Sequence, residues 1–168
     1  NGKLKSRAVV SLSGGMDSTG LLVHLLAKGC EVRGISFDYG QKHKLELSRL
    51  KTNLEYLESK GIHVPHKVVD ISVLGELFSS ALTTEGWDVP EGHYEQGNMK
   101  QTVVPNRNAI FSSIAYGYAL SIANETETEV SLCLGVHSGD HAIYPDCRPE
   151  FYDAIHHAFA IGNWDSER

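Results

Sequence analysis

The segment Ser13-Gly14-Gly15-Met16-Asp17-Ser18 carries the strongest chemical signal in the sequence. It follows an apolar run and precedes a leucine-rich segment, so it is predicted to join a strand to a helix. Glycines allow a tight turn, and backbone N–H groups at a helix N-terminus attract anions such as pyrophosphate. Ser13 and Ser18 add hydroxyl donors, and Asp17 could cap the helix or hold a magnesium ion. An ordinary turn with a Ser or Asp cap is the alternative, which two glycines alone do not exclude.

Residues 37–43, Phe-Asp-Tyr-Gly-Gln-Lys-His, leave a second predicted strand beside that loop. Backbone groups near Ile35 and Phe37 are candidates for adenine recognition, with Tyr39 and Gln41 facing the substrate. Taken alone, the segment is more typical of a strand end followed by a Gly turn and a polar helix start.

Residues 104–108, Val-Pro-Asn-Arg-Asn, are predicted to begin another helix. Asn106 can cap that helix, and Arg107 offers a fixed positive charge to a phosphate or carboxylate. Simple helix initiation explains the proline and Asn106 but does not decide the role of Arg107.

Residues 144–151, Tyr-Pro-Asp-Cys-Arg-Pro-Glu-Phe, form the fourth polar cluster. Asp146 and Arg148 could present a carboxylate and a guanidinium to one small polar ligand. The alternative is a Pro-bounded loop ahead of an amphipathic helix.

Periodicity predicts alternating strands and helices. Strands are expected at residues 7–12, 31–38, 63–70 and 130–135, and helices at 17–28, 42–60, 72–78, 108–123 and 149–161. Residues 79–101 show no periodicity and are expected to form a long loop. This order predicts an α/β fold, a doubly wound, Rossmann-like parallel sheet with helices on both faces. Ligands bind such sheets at the carboxyl ends of the strands, where residues 13–18, 38–43 and 135–140 would meet.

Composition narrows the class of protein further. The 168 residues, 41% apolar and 21% charged, suit a single globular domain spanning 1–168. Without a long apolar run or a secretory signal, we expect a cytoplasmic protein with no membrane partner. Net charge is +4 over the first 60 residues and −10 over the rest, which argues against a nucleic-acid partner. Three cysteines without CxxC spacing exclude a disulfide scaffold and a four-thiolate zinc site within these residues.

The four clusters together resemble a known family. SGGMDS resembles the PP-loop of ATP pyrophosphatases, which cleave ATP between the α and β phosphates and adenylate an oxygen of the substrate. SGGMDS, FDYGQKH, VPNRN and YPDCRPEF, in this order, resemble the 7-cyano-7-deazaguanine synthase (QueC) family from about Arg7 to Phe159. The resemblance implies the PP-loop (HUP) type of fold. It also implies a ligase forming C–N bonds, which converts 7-carboxy-7-deazaguanine, ammonia and ATP to the 7-cyano product in queuosine precursor synthesis. Adenylated carboxylate and amide intermediates are expected.

This resemblance, with the residue arguments above, assigns the site. ATP binding is expected at Leu12, Ser13, Gly14, Gly15, Met16, Asp17, Ser18, Thr19, Ile35 and Phe37. Substrate binding is expected at Tyr39, Gln41, Arg107, Asn108, Asp146 and Arg148. Catalytic roles fall to Asp17, Arg107 and Arg148, with Mg near Asp17.

One feature of the family is missing. Its members typically carry a C-terminal structural zinc held by four cysteines, and this sequence does not contain that part, so Zn is expected for the family without ligands here. The partners expected are small molecules (ATP, a 7-deazapurine and ammonia), together with a second copy of the chain in a homodimer. Two alternatives remain: a related PP-loop ligase acting on a different carboxylate, and a non-catalytic ATP- or AMP-binding module.

Overall fold

A computed structural model describes residues 6–12, 16–40, 44–83, 106–134 and 148–164. Within these ranges, the side chains of Met16, Asp17, Lys44 and residues 79–83 are not described. The strands are β1 (Arg7–Ser11), β2 (Glu31–Asp38), β3 (His66–Asp70) and β4 (Val130–Leu134). The helices are α1 (Met16–Ala27), α2 (Lys44–Ser59), α3 (Ser72–Thr83), α4 (Arg107–Thr126) and α5 (Pro149–Gly162).

The four strands form one parallel sheet in the order β3-β2-β1-β4. Residues 7–11 of β1 pair with residues 31–35 of β2 on one side and with residues 130–134 of β4 on the other. The chain therefore moves outward from β1 to β3 and then returns to the opposite side of β1. This order confirms the expected doubly wound sheet and puts its topological switch point between β1 and β4.

Apolar side chains alternate between the two faces of the sheet, as expected for strands covered on both sides. On one face, Val10 and Val32 pack with Leu22 of α1 and Leu50 of α2. The other face packs Val9, Ile35 and Phe37 against α4 through Ala115, Ala119 and Ile122. The helix α3 also packs on this face, through Leu74. Two helices therefore cover each face of the parallel sheet, which agrees with right-handed crossovers.

Helix α5 lies over the open edge of the sheet beside α4. The rings of Phe159 and Tyr116 are 4.6 Å apart between centroids. A cavity of about 470 Å³ separates α5 from β4 and α4. None of the side chains of α5 is buried, so this helix is loosely packed.

The expected short helix at 72–78 is longer than predicted. It continues to Thr83, so the first five residues of the stretch expected to lack structure are helical. The sequence Ser79-Ser80-Ala81-Leu82 contains neither Gly nor Pro, and nothing there stops a helix already begun. Among the described helices, each is too short or too polar to traverse a bilayer.

Candidate functional site

The carboxyl ends of the parallel strands lie at one edge of the sheet, and several of the candidate residues that the structure describes lie there. Leu12 follows β1, Tyr39 follows β2, and the segment after β4 begins at residue 135. The glycine-rich segment starts at the switch point, where open α/β sheets bind their ligands. The structure therefore places the start of the predicted phosphate loop where the fold has its natural crevice.

Leu12 is buried and anchors the start of that loop to β2. Its side chain is in the apolar cluster shared with α1, and its N–H donates to the carbonyl of Ile35 at 2.8 Å. Helix α1 begins four residues later at Met16, so residues 13–15 span a short gap. The N-terminus of a helix such as α1 carries a partial positive charge, which favours an anion.

The first turn of α1 adds two hydroxyl residues. Ser18 is only 2% exposed, whereas Thr19 is half-buried. The side chains of Met16 and Asp17 lie outside the described part of the structure, as do residues Ser13, Gly14 and Gly15 entirely. The phosphate-binding and catalytic roles expected of these residues therefore stay predictions.

The backbone of β2 faces the same crevice at Phe37. The backbone N–H of Glu31 and the C=O of Ile35 form hydrogen bonds on the β1 side of β2. The N–H of Gly34 and the C=O of Asp38 form hydrogen bonds on the β3 side. Because backbone groups alternate sides along a strand, the N–H and C=O of Phe37 point to the β1 side, beyond the last residue of β1. The side chains of Ile35 and Phe37 are buried in the core, so only their backbone could contact a nucleotide.

Aromatic contacts join the end of β2 to the start of α4. The rings of Phe37 and Phe111 stack with centroids 4.3 Å apart and planes 3° apart, and Tyr39 lies 5.7 Å from Phe111. One turn before Phe111, the guanidinium of Arg107 donates through Nη1 to the Tyr39 hydroxyl at 3.4 Å. Two predicted site residues from separate segments of the chain are therefore in contact.

Asn106 does not cap α4 in the way expected. It occupies the N-cap position but makes no side-chain cap hydrogen bond. Its backbone is left-handed instead, with φ 59° and ψ 24°. Asn tolerates this conformation better than most residues, so its contribution is to the turn that delivers Arg107 and Asn108 into the first turn of α4.

Arg148 occupies the N-cap position of α5 and is exposed. The structure shows no contact between Arg148 and either Tyr39 or Arg107 among the described side chains. Gln41 and Asp146 lie outside the described residues. Their expected roles in substrate binding, and that of Arg148 in catalysis, stay predictions.

The residues present do not fit the zinc site expected of the family. The sequence has three cysteines, one fewer than that site needs. Of these, Cys30 and Cys133 are partly buried in the core, and burial, with a smaller contribution from Cys30, raises the pKa of the Cys133 thiol. Among the described residues, no group of three or more His, Cys, Asp or Glu side chains could hold a metal ion.

Sequence reasoning missed Ser36 and His66, which lie beside Leu12, the residue that precedes the loop. Ser36 is fully buried and hydrogen-bonds to both the Leu12 carbonyl and His66. The available signal was a serine between the apolar residues Ile35 and Phe37, because a hydroxyl that is buried in a strand requires a hydrogen-bond partner.

A Rossmann-like α/β fold with a glycine-rich loop at its switch point defines the general class of this protein. The chain also matches the family described as "Queuosine biosynthesis protein QueC" over residues 7–167. The 7-cyano-7-deazaguanine synthase of Methanoregula boonei is 49% identical over 159 residues, which cover 95% of this chain and 69% of that protein. The protein of the same name from Caldicellulosiruptor bescii is 50% identical over 158 residues, or 94% and 67% of the two chains.

The counterpart from Caldicellulosiruptor saccharolyticus is 53% identical over 149 residues, covering 89% of this chain and 62% of the other. The chain thus spans about two thirds of the length of these relatives. Among solved structures, an NH3-dependent NAD synthetase from Campylobacter jejuni has a TM-score of 0.43 and 18% identity, over 77% of this chain and 47% of that one. That likeness is too slight to support an argument.

The chain belongs to the QueC family of queuosine biosynthesis proteins. It is an enzyme of the synthase kind, and membership of this family implies the use of ATP.

Proposed function

We propose that this chain converts 7-carboxy-7-deazaguanine and ammonia to 7-cyano-7-deazaguanine at the expense of ATP. Relatives at 49–53% identity that bear the name of this synthase support the assignment. The observation that carries it is the contact between Arg107 and Tyr39 at the edge where the SGGMDS loop begins. Tyr39 belongs to the FDYGQKH motif and Arg107 to the VPNRN motif, and Tyr39 follows the strand next to the one that Leu12 follows.

The reaction proceeds through two activations. A carboxylate oxygen attacks the α-phosphorus of ATP, which gives an acyl adenylate and releases pyrophosphate. Ammonia attacks the acyl carbon and loses a proton, AMP leaves with one of the original carboxylate oxygens, and a primary amide remains. The amide oxygen then attacks the α-phosphorus of a second ATP and releases a second pyrophosphate. Loss of the second AMP and of both N–H protons of the amide leaves the nitrile, so both carboxylate oxygens end in AMP.

The chain supplies mainly positive charge and backbone donors for these steps. Arg107 would stabilise the negative charge that develops at the reacting phosphate or carboxylate, because a guanidinium offers a fixed positive charge and several N–H donors. The partial charge at the N-terminus of α1 would hold the pyrophosphate that leaves. Backbone groups of Phe37, which point past the end of β1, suit the edge of an adenine ring.

Magnesium would be held near Asp17, whose carboxylate is of the ligand class that this ion prefers. The bound ion would neutralise phosphate charge. The protein residues do the rest of the work: they orient the two reactants and hold the adenylate.

Pyrophosphate release tests the proposal. The purified protein is given ATP, magnesium and ammonium, with and without 7-carboxy-7-deazaguanine, and products are identified by mass spectrometry. Release that requires the deazapurine and accompanies formation of the nitrile supports the proposal. ATP binding without release supports a nucleotide-binding module, whereas release with another carboxylic acid alone supports a related ligase.

A further inference from the structure

A hydrogen-bonded chain runs from the partly buried His66 on β3 through the buried Ser36 on β2 to the carbonyl of Leu12. The Ser36 hydroxyl donates to the Leu12 carbonyl at 2.6 Å. The same hydroxyl lies 2.7 Å from Nε2 of His66. Ser36 is fully buried, so no solvent replaces these contacts.

The direction of this chain follows from the number of protons. The Ser36 hydroxyl has one proton, which it donates to Leu12, so its oxygen must accept a hydrogen bond from His66. Nε2 of His66 therefore carries a proton, in the neutral ring as well as in the charged one. Burial lowers the pKa of His66, which favours the neutral ring with its proton on Nε2.

Gly34 makes this arrangement possible. A Cβ at Gly34 would lie 2.6 Å from Cδ1 of Leu12 and 3.1 Å from Cδ2 of His66. Gly34 and Ser36 point to the same face of β2, two residues apart. Gly34 leaves the space in which the side chains of Leu12 and His66 lie next to each other, and Ser36 forms hydrogen bonds with both residues.

Both backbone groups of Leu12 are thereby tied to β2. Its N–H donates to the Ile35 carbonyl at 2.8 Å, and its C=O accepts from Ser36. Because the peptide bond is planar, the peptide group that holds the Leu12 carbonyl also holds the first N–H of the SGGMDS segment. Any rotation of the Leu12 carbonyl would redirect that N–H.

We propose that Ser36 and His66 are positioning residues for the nucleotide loop: they hold the Leu12 carbonyl and thereby orient the first peptide of the loop for ATP. The inference rests on the proposed function. It adds two residues that touch no substrate and act through the backbone of a third.

Three substitutions in the purified protein test it. Ser36→Ala removes the hydroxyl, and His66→Leu removes the donor at similar size. His66→Gln retains an N–H near the position of Nε2. Val64→Ala is the matched control, since Val64 is buried in the same apolar cluster as Leu12 but has no part in the chain. The measurements are the Kd for ATP by titration calorimetry, the amide chemical shifts of Gly14 and Gly15 without ligand, and Tm.

Ser36→Ala and His66→Leu are expected to raise the Kd for ATP about five- to tenfold, which corresponds to one buried hydrogen bond, and to shift both glycine amides. His66→Gln should restore most of the affinity. Val64→Ala should lower Tm while ATP affinity and the two amides stay as in the wild type.

A purely structural role predicts a different result: Ser36→Ala and His66→Leu would lower Tm as Val64→Ala does, with unchanged amide shifts and unchanged affinity. That outcome would overturn the inference. If the wild type binds no ATP, the proposed function fails instead, and the amide shifts still decide whether the chain orients the loop.

Discussion

The rings of Phe37 and Phe111 stack with their centroids 4.3 Å apart and their planes 3° apart. Phe37 is on β2, two residues before Tyr39, and Phe111 is on α4, one turn after Arg107. The stack therefore sets the distance between the strand and the helix that carry Tyr39 and Arg107. These two side chains meet at 3.4 Å because the rings beneath them are packed.

Removing the stack should loosen this contact. We expect Phe111→Ala to reduce the free energy of unfolding by about 2–3 kcal/mol, less than for a fully buried ring, because Phe111 is only partly buried. Activity should fall more than in Phe111→Tyr, which keeps the ring. Urea unfolding and initial rates of pyrophosphate release measure both effects. Equal activity in the two variants would show that the stack does not position Arg107.

Arg107 should be needed for turnover and not for folding. Arg107→Ala, and also Arg107→Lys, should reduce kcat/KM about 100-fold or more, because lysine lacks the planar fork of the guanidinium. Asp17→Ala should abolish turnover with the fold intact, as expected of a magnesium-binding carboxylate. Tyr39→Phe is the matched milder change, and a contact of 3.4 Å predicts a loss under about fivefold. Normal turnover in Arg107→Ala would show that Arg107 does not stabilise the charge that develops during the reaction.

The ends of α4 offer a paired test of backbone conformation. Asn106 has φ 59° before the helix and Glu127 has φ 52° after it. Glu127→Gly should raise the free energy of unfolding by about 0.5–1 kcal/mol, because glycine adopts this conformation without strain. Asn106→Ala should lower it by about 1 kcal/mol, and Asn106→Gly should change it little. Chemical denaturation measures all three, and a stabilising Asn106→Ala would contradict the left-handed turn.

Stability should depend on pH through His66. Burial lowers its pKa in the folded protein below the ordinary value of about 6.5, so the folded state binds this proton more weakly than the unfolded state. The folded state is therefore favoured above about pH 6.5 and loses stability as the pH falls from there toward the lowered pKa. We expect the stability of the wild type, relative to His66→Gln, to be lower at pH 5 than at pH 8. If the difference in stability between the wild type and His66→Gln does not change with pH, the pKa of His66 is not lowered in the folded protein.

Much of the fold follows from the sequence alone. Residues 31–38 were predicted as a strand and form β2 with those bounds, because a β-branched and aromatic run lies between turn residues. The edge at which Leu12 and Tyr39 lie also follows from strand order, since parallel strands end on the same side, whereas the position of Arg107 beside Tyr39 does not.

Other features depend on contacts that no local pattern contains. The chain of Leu12, Ser36 and His66 joins three segments that meet only when β1, β2 and β3 pair. Asn106 was expected to cap by its side chain, as Asn commonly does, but its backbone adopted the left-handed conformation instead. Neither outcome can be obtained from spacing along the sequence.

The most direct test of the proposed double adenylation follows the carboxylate oxygens of the substrate. 7-Carboxy-7-deazaguanine with ¹⁸O in both carboxylate positions is incubated with the protein, ATP, magnesium and ammonium, and the AMP is analysed by mass spectrometry. Double adenylation predicts two AMP per nitrile, each with one ¹⁸O in its phosphate. AMP without label, or label released into water, would contradict the proposed mechanism.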